Sequence, residues 1–337
     1  MIKPKRLHKG DKVALVSLSS GLFGDKENSA RLERVKKNLK EIFDYDFVFM
    51  PNALLGTEEV KKHPELRAKD LMDAFKDPSI KGILTLTGGN DTIRILPYID
   101  FDVIRNNPKV FIGFSDTTAN HFMMYKAGLV SFYGPAAGVE FSLPNPPQED
   151  IDTVLDTIFE GKDNIELNHY LKYANDPLDW STSLLDYHED LTGYELLKGT
   201  GVVEGELIGG CIDVFAMING TSIWPSVDSW KDKVLFFETS DGQPEPESVR
   251  DTLYSMASQG ILGNLTALLV GRPKNGKYYQ EYNDVILEVL EDFNIDIPVI
   301  VNCHFGHAWL WHVMPIGCKV RVDADNKKIT LIESSVK

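Results

Sequence analysis

Apolar runs alternate with stretches of helical periodicity through the first 160 residues. Residues 13–18 are apolar except for Ser17, as expected of a strand covered on both faces. Residues 29–43 place Leu32, Val35, Leu39 and Ile42 three or four positions apart, which predicts one face of a helix. The same criteria predict further strands at 47–50, 82–87, 110–114 and 130–133, and helices at 65–75, 117–127 and 151–159. This alternation predicts an α/β domain with a doubly wound, mostly parallel sheet.

The pattern changes after residue 160. Residues 161–200 are polar and acidic, contain several aromatic side chains, and give weak strand and helix signals, so we expect a linker that covers a binding site. Beyond it the apolar pattern predicts strands at 205–208, 234–237, 265–270 and 299–301, helices at 248–257 and 284–293, and a closing hairpin of residues 319–323 and 328–332. We therefore predict three parts: an N-terminal α/β domain at 1–160, the covering segment at 161–200, and a β-rich α/β domain at 201–337.

The composition excludes several classes of protein. The 337 residues include 35 Lys and Arg against 50 Asp and Glu, a net charge of −15 that disfavours a nucleic-acid polymer as partner. No apolar run approaches the ~20 residues that cross a bilayer, and the run at 13–18 is too short for a secretory signal. Three cysteines are typical of reduced thiols rather than of a disulfide framework. We expect a cytoplasmic protein that does not bind membranes.

Ser115 lies between the predicted strand 110–114 and the predicted helix 117–127. A sharp strand-to-helix turn that lifts a serine off the sheet is the arrangement of the nucleophile elbow, G-x-S-x-G, although Thr117 here replaces the last glycine. The backbone N–H of Asp116 would then lie at a helix N-terminus, where an oxyanion is stabilised. The alternative is that Ser115 is a helix N-cap, a common role of serine before a helix.

A nucleophilic serine needs a base, and the base needs an orienting acid. The histidines His304, His307 and His312 cluster directly after the predicted strand 299–301, and Glu238 follows the apolar strand 234–237. Asp241, Glu245 and Glu247 compete with Glu238, but its position at a strand end favours it. A solvent-exposed carboxylate is the alternative for Glu238.

Two other interpretations of these segments stay open. Cys303 and the three nearby histidines could ligate zinc, although their spacing fits no standard zinc signature, or the histidines could simply be packed. Gly88 and Gly89 follow a predicted strand and could cradle a phosphate or supply an oxyanion amide, since both uses need bare backbone near a ligand.

In combination, these segments resemble the LD-carboxypeptidase family, serine peptidases with a Ser-His-Glu triad. The resemblance extends from Gly10-Asp11-Lys12-Val13 to the closing hairpin. The motifs that carry it are Thr87-Gly88-Gly89, Gly113-Phe114-Ser115-Asp116, Leu207-Ile208-Gly209-Gly210, Phe237-Glu238-Thr239-Ser240, Val270-Gly271-Arg272-Pro273, Phe305-Gly306-His307 and Pro315-Ile316-Gly317.

The resemblance implies a role for each matched position. Ser115 would be the nucleophile, His307 the base and Glu238 its orienting acid, and the backbone amides of Gly89 and Asp116 would form the oxyanion hole. The resemblance also implies a triad assembled at the junction of two domains, a homodimer, and no metal or cofactor.

Two branches of the family differ in substrate. One trims murein tetrapeptides at an L,D bond, and the other resembles the microcin C self-immunity peptidases, which cleave an aminoacyl-nucleotide amide. The long 161–200 segment and the residues around Glu238 favour the second branch, with Trp180 or Tyr173 stacking on a nucleobase. The alternative for Trp180 is that it anchors the segment to the rest of the protein. Arg272 is a candidate for holding the substrate's carboxylate, or it forms a structural ion pair. A binding module without turnover is the alternative from another functional class.

Overall fold

The computed structural model describes residues 1–175 and 185–337. The described residues fall into two compact units. Unit 1 contains residues 1–161 together with Leu185 and the C-terminal residues 335–337, and unit 2 contains residues 162–175 and 186–334.

Unit 1 is built on a parallel sheet. Its strands are β1 (Lys12–Val16), β2 (Asp46–Phe49), β3 (Ile80–Thr85), β4 (Val110–Gly113) and β5 (Ser131–Tyr133). They pair in the order β5-β4-β3-β1-β2, and every pair is parallel. The predicted parallel α/β fold is confirmed. The winding reverses between β1 and β3, and ligands of such sheets bind beyond the carboxyl ends of the strands at that point.

The helices of unit 1 follow the predicted stripes closely. They are α1 (Ser29–Phe43), α2 (Thr57–Lys62), α3 (Pro64–Lys76), α4 (Phe101–Asn106), α5 (Thr118–Ala127) and α6 (Gln148–Val154). The α1 helix occupies the predicted residues and buries Val35 and Leu39 completely. The prediction of one helix over 151–159 is wrong in part, because α6 ends at Val154 and a π-helical turn, Leu155–Glu160, continues it. Apolar spacing alone does not distinguish these hydrogen-bonding patterns.

Unit 2 has a mixed sheet with a parallel centre. The strands of this unit are β6 (Ile165–Glu166), β7 (Lys172–Asn175), β8 (Asp186–Glu189), β9 (Glu195–Lys198), β10 (Val202–Cys211), β11 (Lys233–Glu238), β12 (Leu265–Gly271), β13 (Val299–Cys303), β14 (Met314–Ile316), β15 (Lys319–Asp323) and β16 (Lys328–Leu331). Eight of them pair in the order β6-β16-β15-β10-β11-β12-β13-β9. The pairs from β10 to β13 are parallel and the outer pairs are antiparallel, including the predicted hairpin of β15 and β16.

The described part of 161–200 is more regular than we expected. It contributes β6 and β9 to the two edges of the main sheet, while β7 and β8 form a separate antiparallel pair. These strands have two to four residues each and are only partly buried, so they lack the apolar run that identifies a central strand. The helices of unit 2 are α7 (Ile212–Ile218), α8 (Pro246–Ser258) and α9 (Tyr279–Asp292).

Two further features bear on the expectations from composition. Cys211, Cys303 and Cys318, all within the described residues, form no disulfide, and all three are buried. Among the helices in the described ranges, none combines the length and apolarity needed to cross a membrane.

Candidate active site

Ser115 lies directly beyond the carboxyl end of β4, in a strained backbone conformation. Its φ is +61°, in the left-handed region that residues other than glycine rarely occupy, and it follows an extended Phe114. The Ser115 N–H donates to the hydroxyl of Tyr133 at 3.1 Å, and the Thr118 hydroxyl donates to the Ser115 carbonyl at 2.7 Å. Phe114 and Thr117 occupy the N-cap positions of the two helical segments that follow, so Ser115 is not the helix N-cap. A strained strand-to-helix turn is typical of an elbow that presents a nucleophile.

The Gly88-Gly89 backbone lies against Ser115. A Cβ on Gly88 would come within 2.9 Å of the Ser115 Cβ and 3.1 Å of its hydroxyl oxygen. Gly89 has a φ of +154°, and a Cβ there would collide with the hydroxyl of Ser19 and lie 2.9 Å from the Ser19 Cβ. A side chain at either position would collide with a neighbouring serine, so glycine is needed at both, and its absence of a Cβ allows the Gly88 backbone to approach Ser115.

A buried carboxylate ties this glycine loop to the serine turn. The Oδ2 atom of Asp116 accepts the Ser19 hydroxyl at 2.6 Å and the Thr92 N–H at 2.8 Å. Burial raises the pKa of Asp116, and these two hydrogen bonds oppose the rise. The carboxyl-terminal ends of β1, β3 and β4 are therefore linked through a single side chain. Sequence reasoning missed Ser19 and Thr92, whose only signal is that polar residues follow predicted strands.

Arg67 adds a second tie to the same edge of the sheet. Its guanidinium is buried and donates to the carbonyls of Leu18 and Ser19 at 3.0 and 3.2 Å, and to the Asp91 carboxylate at 2.7 Å. The loops that carry Ser19 and Gly89 are thus held by both a buried anion and a buried cation.

His121, the histidine nearest in sequence to Ser115, is a packing residue. It is fully buried, with Nε2 bonded to the Gly113 carbonyl at 2.9 Å and Nδ1 bonded to the Ser131 hydroxyl at 2.8 Å. Burial lowers the pKa of His121 to about 4, so its ring is neutral at pH 7. Its two nitrogens thus bind the last residue of β4 and the first residue of β5.

Glu238 and His307 form a separate group in unit 2, where Glu238 ends β11 and His307 lies in the loop after β13. The Glu238 carboxylate is fully buried, and its Oε2 accepts His307 Nδ1 at 2.7 Å and the His307 backbone N–H at 3.2 Å. Burial works against protonation of His307, but the Glu238 charge and hydrogen bond outweigh it and raise the pKa of His307. Glu238 therefore fixes the orientation of the ring and favours its charged form.

Two glycines make room for this pair. A Cβ on Gly306 would lie within 2.6 Å of the Glu238 Cβ, and one on Gly271 would lie within 2.7 Å of the same atom. Gly306 also has a φ of +102°. Sequence motifs containing Gly271 and Gly306 thus have a steric explanation, since Glu238 is enclosed by backbone on both sides.

Replacement of Gly306 by alanine is expected to destabilise the protein by about 1–3 kcal/mol more than replacement of Gly220, through overpacking against Glu238. Gly220 is the matched control, because it also has a positive φ, +77°, but a Cβ there would meet nothing within 4 Å. Urea unfolding of both variants measures the difference. Equal destabilisation would show that the Glu238 environment yields without cost.

The remaining predicted residues are placed as follows. Arg272 donates through Nη1 to Asp190 at 2.7 Å and to Asn302 at 2.8 Å, and its guanidinium lies 3.7 Å from the ring centre of Tyr173. The structure thus gives Arg272 a structural ion pair. Trp180 lies outside the described residues.

The predicted alternative of one zinc site built from Cys303, His304, His307 and His312 does not match the geometry. Among the described residues, His307 groups with Cys211 and Glu238, whereas His304 groups with His169 and Asp190. His312 is engaged separately, with Nε2 bonded to the Asn168 carbonyl at 2.8 Å. His304, His307 and His312 are close in sequence but contact different groups, because the loop after β13 turns between them.

The sequence matches a known family in two regions. Residues 13–134 match the LD-carboxypeptidase N-terminal domain, and residues 204–322 match the LD-carboxypeptidase C-terminal domain. The chain is 30% identical to the microcin C7 self-immunity protein MccF of Escherichia coli, over 79% of this chain and 78% of the relative. It is 29% identical to a probable murein peptide carboxypeptidase of Bacillus subtilis, over 99% of this chain and 95% of that one.

A solved structure agrees with the fold over almost the whole chain. The crystal structure of an MccF-like protein from Streptococcus pneumoniae in complex with AMP aligns with a TM-score of 0.87 and 29% identity, covering 95% of this chain and 98% of that chain.

Proposed function

Because the chain belongs to the LD-carboxypeptidase family and is a serine peptidase, we propose that Ser115, His307 and Glu238 are its catalytic triad and that it hydrolyses aminoacyl-nucleotide amides. The observation that carries the triad is the contact between His307 Nδ1 and the buried Glu238 carboxylate. A histidine held in this way by an acid is the base that a serine nucleophile requires.

The proposed reaction begins at the Ser115 hydroxyl. His307 removes its proton through Nε2 as the oxygen attacks the amide carbonyl, and Glu238 stabilises the imidazolium that forms. The backbone amides of Gly89 and Asp116 receive the oxyanion, and loss of one such donor typically costs about 10²–10³-fold in rate. His307 then returns the proton to the leaving nitrogen, and water attacks the acyl-enzyme to release the acid and regenerate the serine.

The buried Asp116 carboxylate supports the oxyanion hole as a positioning group. It accepts the hydroxyl of Ser19, whose side chain lies against Gly89. It also accepts the backbone N–H of Thr92, in the segment that follows Gly89. The two proposed oxyanion amides therefore belong to loops that one carboxylate holds together. Preorganised donors of this kind need no rearrangement as charge develops.

The proposed nucleotide preference rests on the relatives and on the aromatic segment. One similar solved protein is complexed with AMP. A base stacked on an aromatic side chain gains about 1–3 kcal/mol. Both the Arg272 guanidinium and the His188 ring already lie over the ring of Tyr173, which favours Trp180 as the stacking residue. Arg272 remains the candidate for contact with the substrate's anionic group.

The murein relative supports a second candidate, an L,D-carboxypeptidase that trims cell-wall tetrapeptides, since that similarity spans 99% of this chain. Incubation with an aspartyl-sulfamoyl-adenosine compound and, separately, with an L,D-tetrapeptide distinguishes the two. We expect release of aspartate from the first compound at a kcat/KM at least tenfold above that for the tetrapeptide, and no release by Ser115→Ala. Preferential cleavage of the tetrapeptide would replace the nucleotide proposal and leave the triad intact.

We further propose that the protein is a homodimer, as the family resemblance implies, and that it is cytoplasmic, as its sparse cysteines indicate. Light scattering of the purified chain tests the dimer, since a mass of one chain at micromolar concentration would contradict it.

A further inference from the structure

A second group of buried polar side chains in unit 2 is separate from the proposed triad. It consists of His169, Asp190 and His304, and one ligand atom from each lies within 4.8 Å of the other two. Asp190 and His304 are 3% and 2% exposed, and the His169 side chain is 12% exposed. The three residues come from distant parts of the sequence, with His169 before β7, Asp190 after β8 and His304 after β13.

Two nitrogens in this group are buried without a hydrogen bond. Within the described ranges, neither Nε2 of His169 nor Nε2 of His304 has a hydrogen-bond partner. His169 Nε2 does lie 3.1 Å from Asp190 Oδ2, close enough for a charge interaction but without the geometry of a hydrogen bond. Buried polar atoms almost always have a partner, so His304 Nε2, which has no hydrogen bond or ion pair among the described residues, needs an explanation.

The other atoms of the group are held in the way that metal ligands usually are. His304 Nδ1 donates to the Leu310 carbonyl at 3.2 Å, which leaves the lone pair of the neutral ring on Nε2. The Oδ2 atom of Asp190, which faces His169, accepts Arg272 at 2.7 Å and Asn302 at 3.2 Å, and its Oδ1 atom accepts the Thr192 N–H at 3.2 Å. Such outer contacts fix the tautomer and direction of ligating side chains.

We propose that His169, Asp190 and His304 form a structural site for one zinc ion, distinct from the proposed triad. Two imidazoles and one carboxylate are ordinary zinc ligands, and the 3.1 Å between His169 and Asp190 is close to the roughly 3.3 Å that separates ligands around tetrahedral zinc. A water molecule or a further side chain would complete the coordination.

The charge around the site selects the class of metal. Arg272 already compensates the Asp190 carboxylate, so little net negative charge is left for a cation that prefers oxygen ligands. Neutral imidazoles suit zinc and similar late transition metals. We therefore expect Zn²⁺ to bind and Mg²⁺ not to bind. The bound ion would join three segments of unit 2 and stabilise that unit.

The experiment titrates EDTA-treated protein with Zn²⁺ in competition with a chromophoric chelator. His304→Ala and His169→Ala each remove one ligand. His307→Ala removes a ligand of the second possible metal group among the described residues, Cys211 with Glu238 and His307, and His188→Ala removes a partly exposed histidine of unit 2 that is not a proposed ligand. Circular dichroism selects the ligand variants that fold.

We expect one Zn²⁺ per chain in the wild type, in His307→Ala and in His188→Ala, and binding at least 100-fold weaker in a folded ligand variant. Zn²⁺, and not Mg²⁺, should raise the thermal unfolding midpoint of the wild type, of His307→Ala and of His188→Ala. Wild-type affinity in a folded His304→Ala or His169→Ala variant, loss of binding in His307→Ala alone, or no Zn²⁺ binding by the wild type would overturn the proposal. None of these measurements uses catalytic activity, so they are independent of the proposed triad.

Discussion

Replacement of Ser115 by alanine is expected to lower kcat by about 10⁴–10⁶-fold, because it removes the atom that forms the acyl-enzyme. The fold should persist, because the tie between the glycine loop and the serine turn runs through the Asp116 side chain and the Ser115 N–H bond to Tyr133 is made by the backbone. Steady-state hydrolysis of the preferred substrate measures the loss, and circular dichroism checks the fold.

Ser240→Ala is the matched control for this variant. Ser240 also follows a strand that ends at a polar turn, but its hydroxyl donates to the Asp213 carboxylate at 2.9 Å and has no histidine partner among the hydrogen bonds of the described residues. We expect its kcat to stay within about threefold of the wild type, since its hydroxyl takes no part in the proposed acyl transfer. A rate near the wild-type value in Ser115→Ala would remove Ser115 from the mechanism.

Replacement of Glu238 by glutamine is expected to lower kcat by about 10⁴-fold, since an amide no longer holds the tautomer of His307 or stabilises its positive charge. The substitution keeps the shape of a side chain that is enclosed by Gly271 and Gly306. Loss of rate can therefore be separated from loss of packing by comparing the urea midpoints of the variant and the wild type.

The same variant has a signature in its pH profile. His307 acts as a base only when neutral, and Glu238 raises its pKa, so wild-type kcat/KM should fall with decreasing pH through an apparent pKa above the ordinary histidine value of about 6.5. Without the carboxylate that pKa drops, and the acid limb moves to lower pH. Asp241→Asn is the control, because Asp241 also raises the pKa of His307, but less than Glu238 does. An unshifted limb in Glu238→Gln would mean that this carboxylate does not act on the base.

Apolar periodicity predicted the central elements because they are buried. The strand at 13–18 and the helix at 29–43 were found since β1 is covered on both faces and α1 packs one stripe on the core. The short helices α2, α4 and α7 were missed, since six or seven residues hold too little of a 3.6-residue period. The edge strands within 161–200 were missed because they are short and partly exposed, and therefore have no apolar run.

The candidate site, too, could be predicted only in part from the sequence. Ser115 and Gly89 were accessible to sequence reasoning because they follow apolar strands of one parallel sheet, whose carboxyl ends lie at one edge, and Glu238 because it lies at the end of an apolar strand of the other sheet. The Glu238–His307 contact needed the resemblance to choose among several acids and histidines. The roles of Tyr133, Arg67 and Asp190 depend on contacts between residues far apart in the sequence, and nothing in the local sequence around these side chains indicates them.

Labelling with a fluorophosphonate probe, followed by peptide mass spectrometry, tests whether Ser115 is a nucleophile activated by His307. We predict one adduct per chain, on the peptide that contains Ser115, and at least a 100-fold slower reaction in folded His307→Ala. An adduct on another residue, or no adduct on a preparation that hydrolyses its substrate, would contradict the proposed triad.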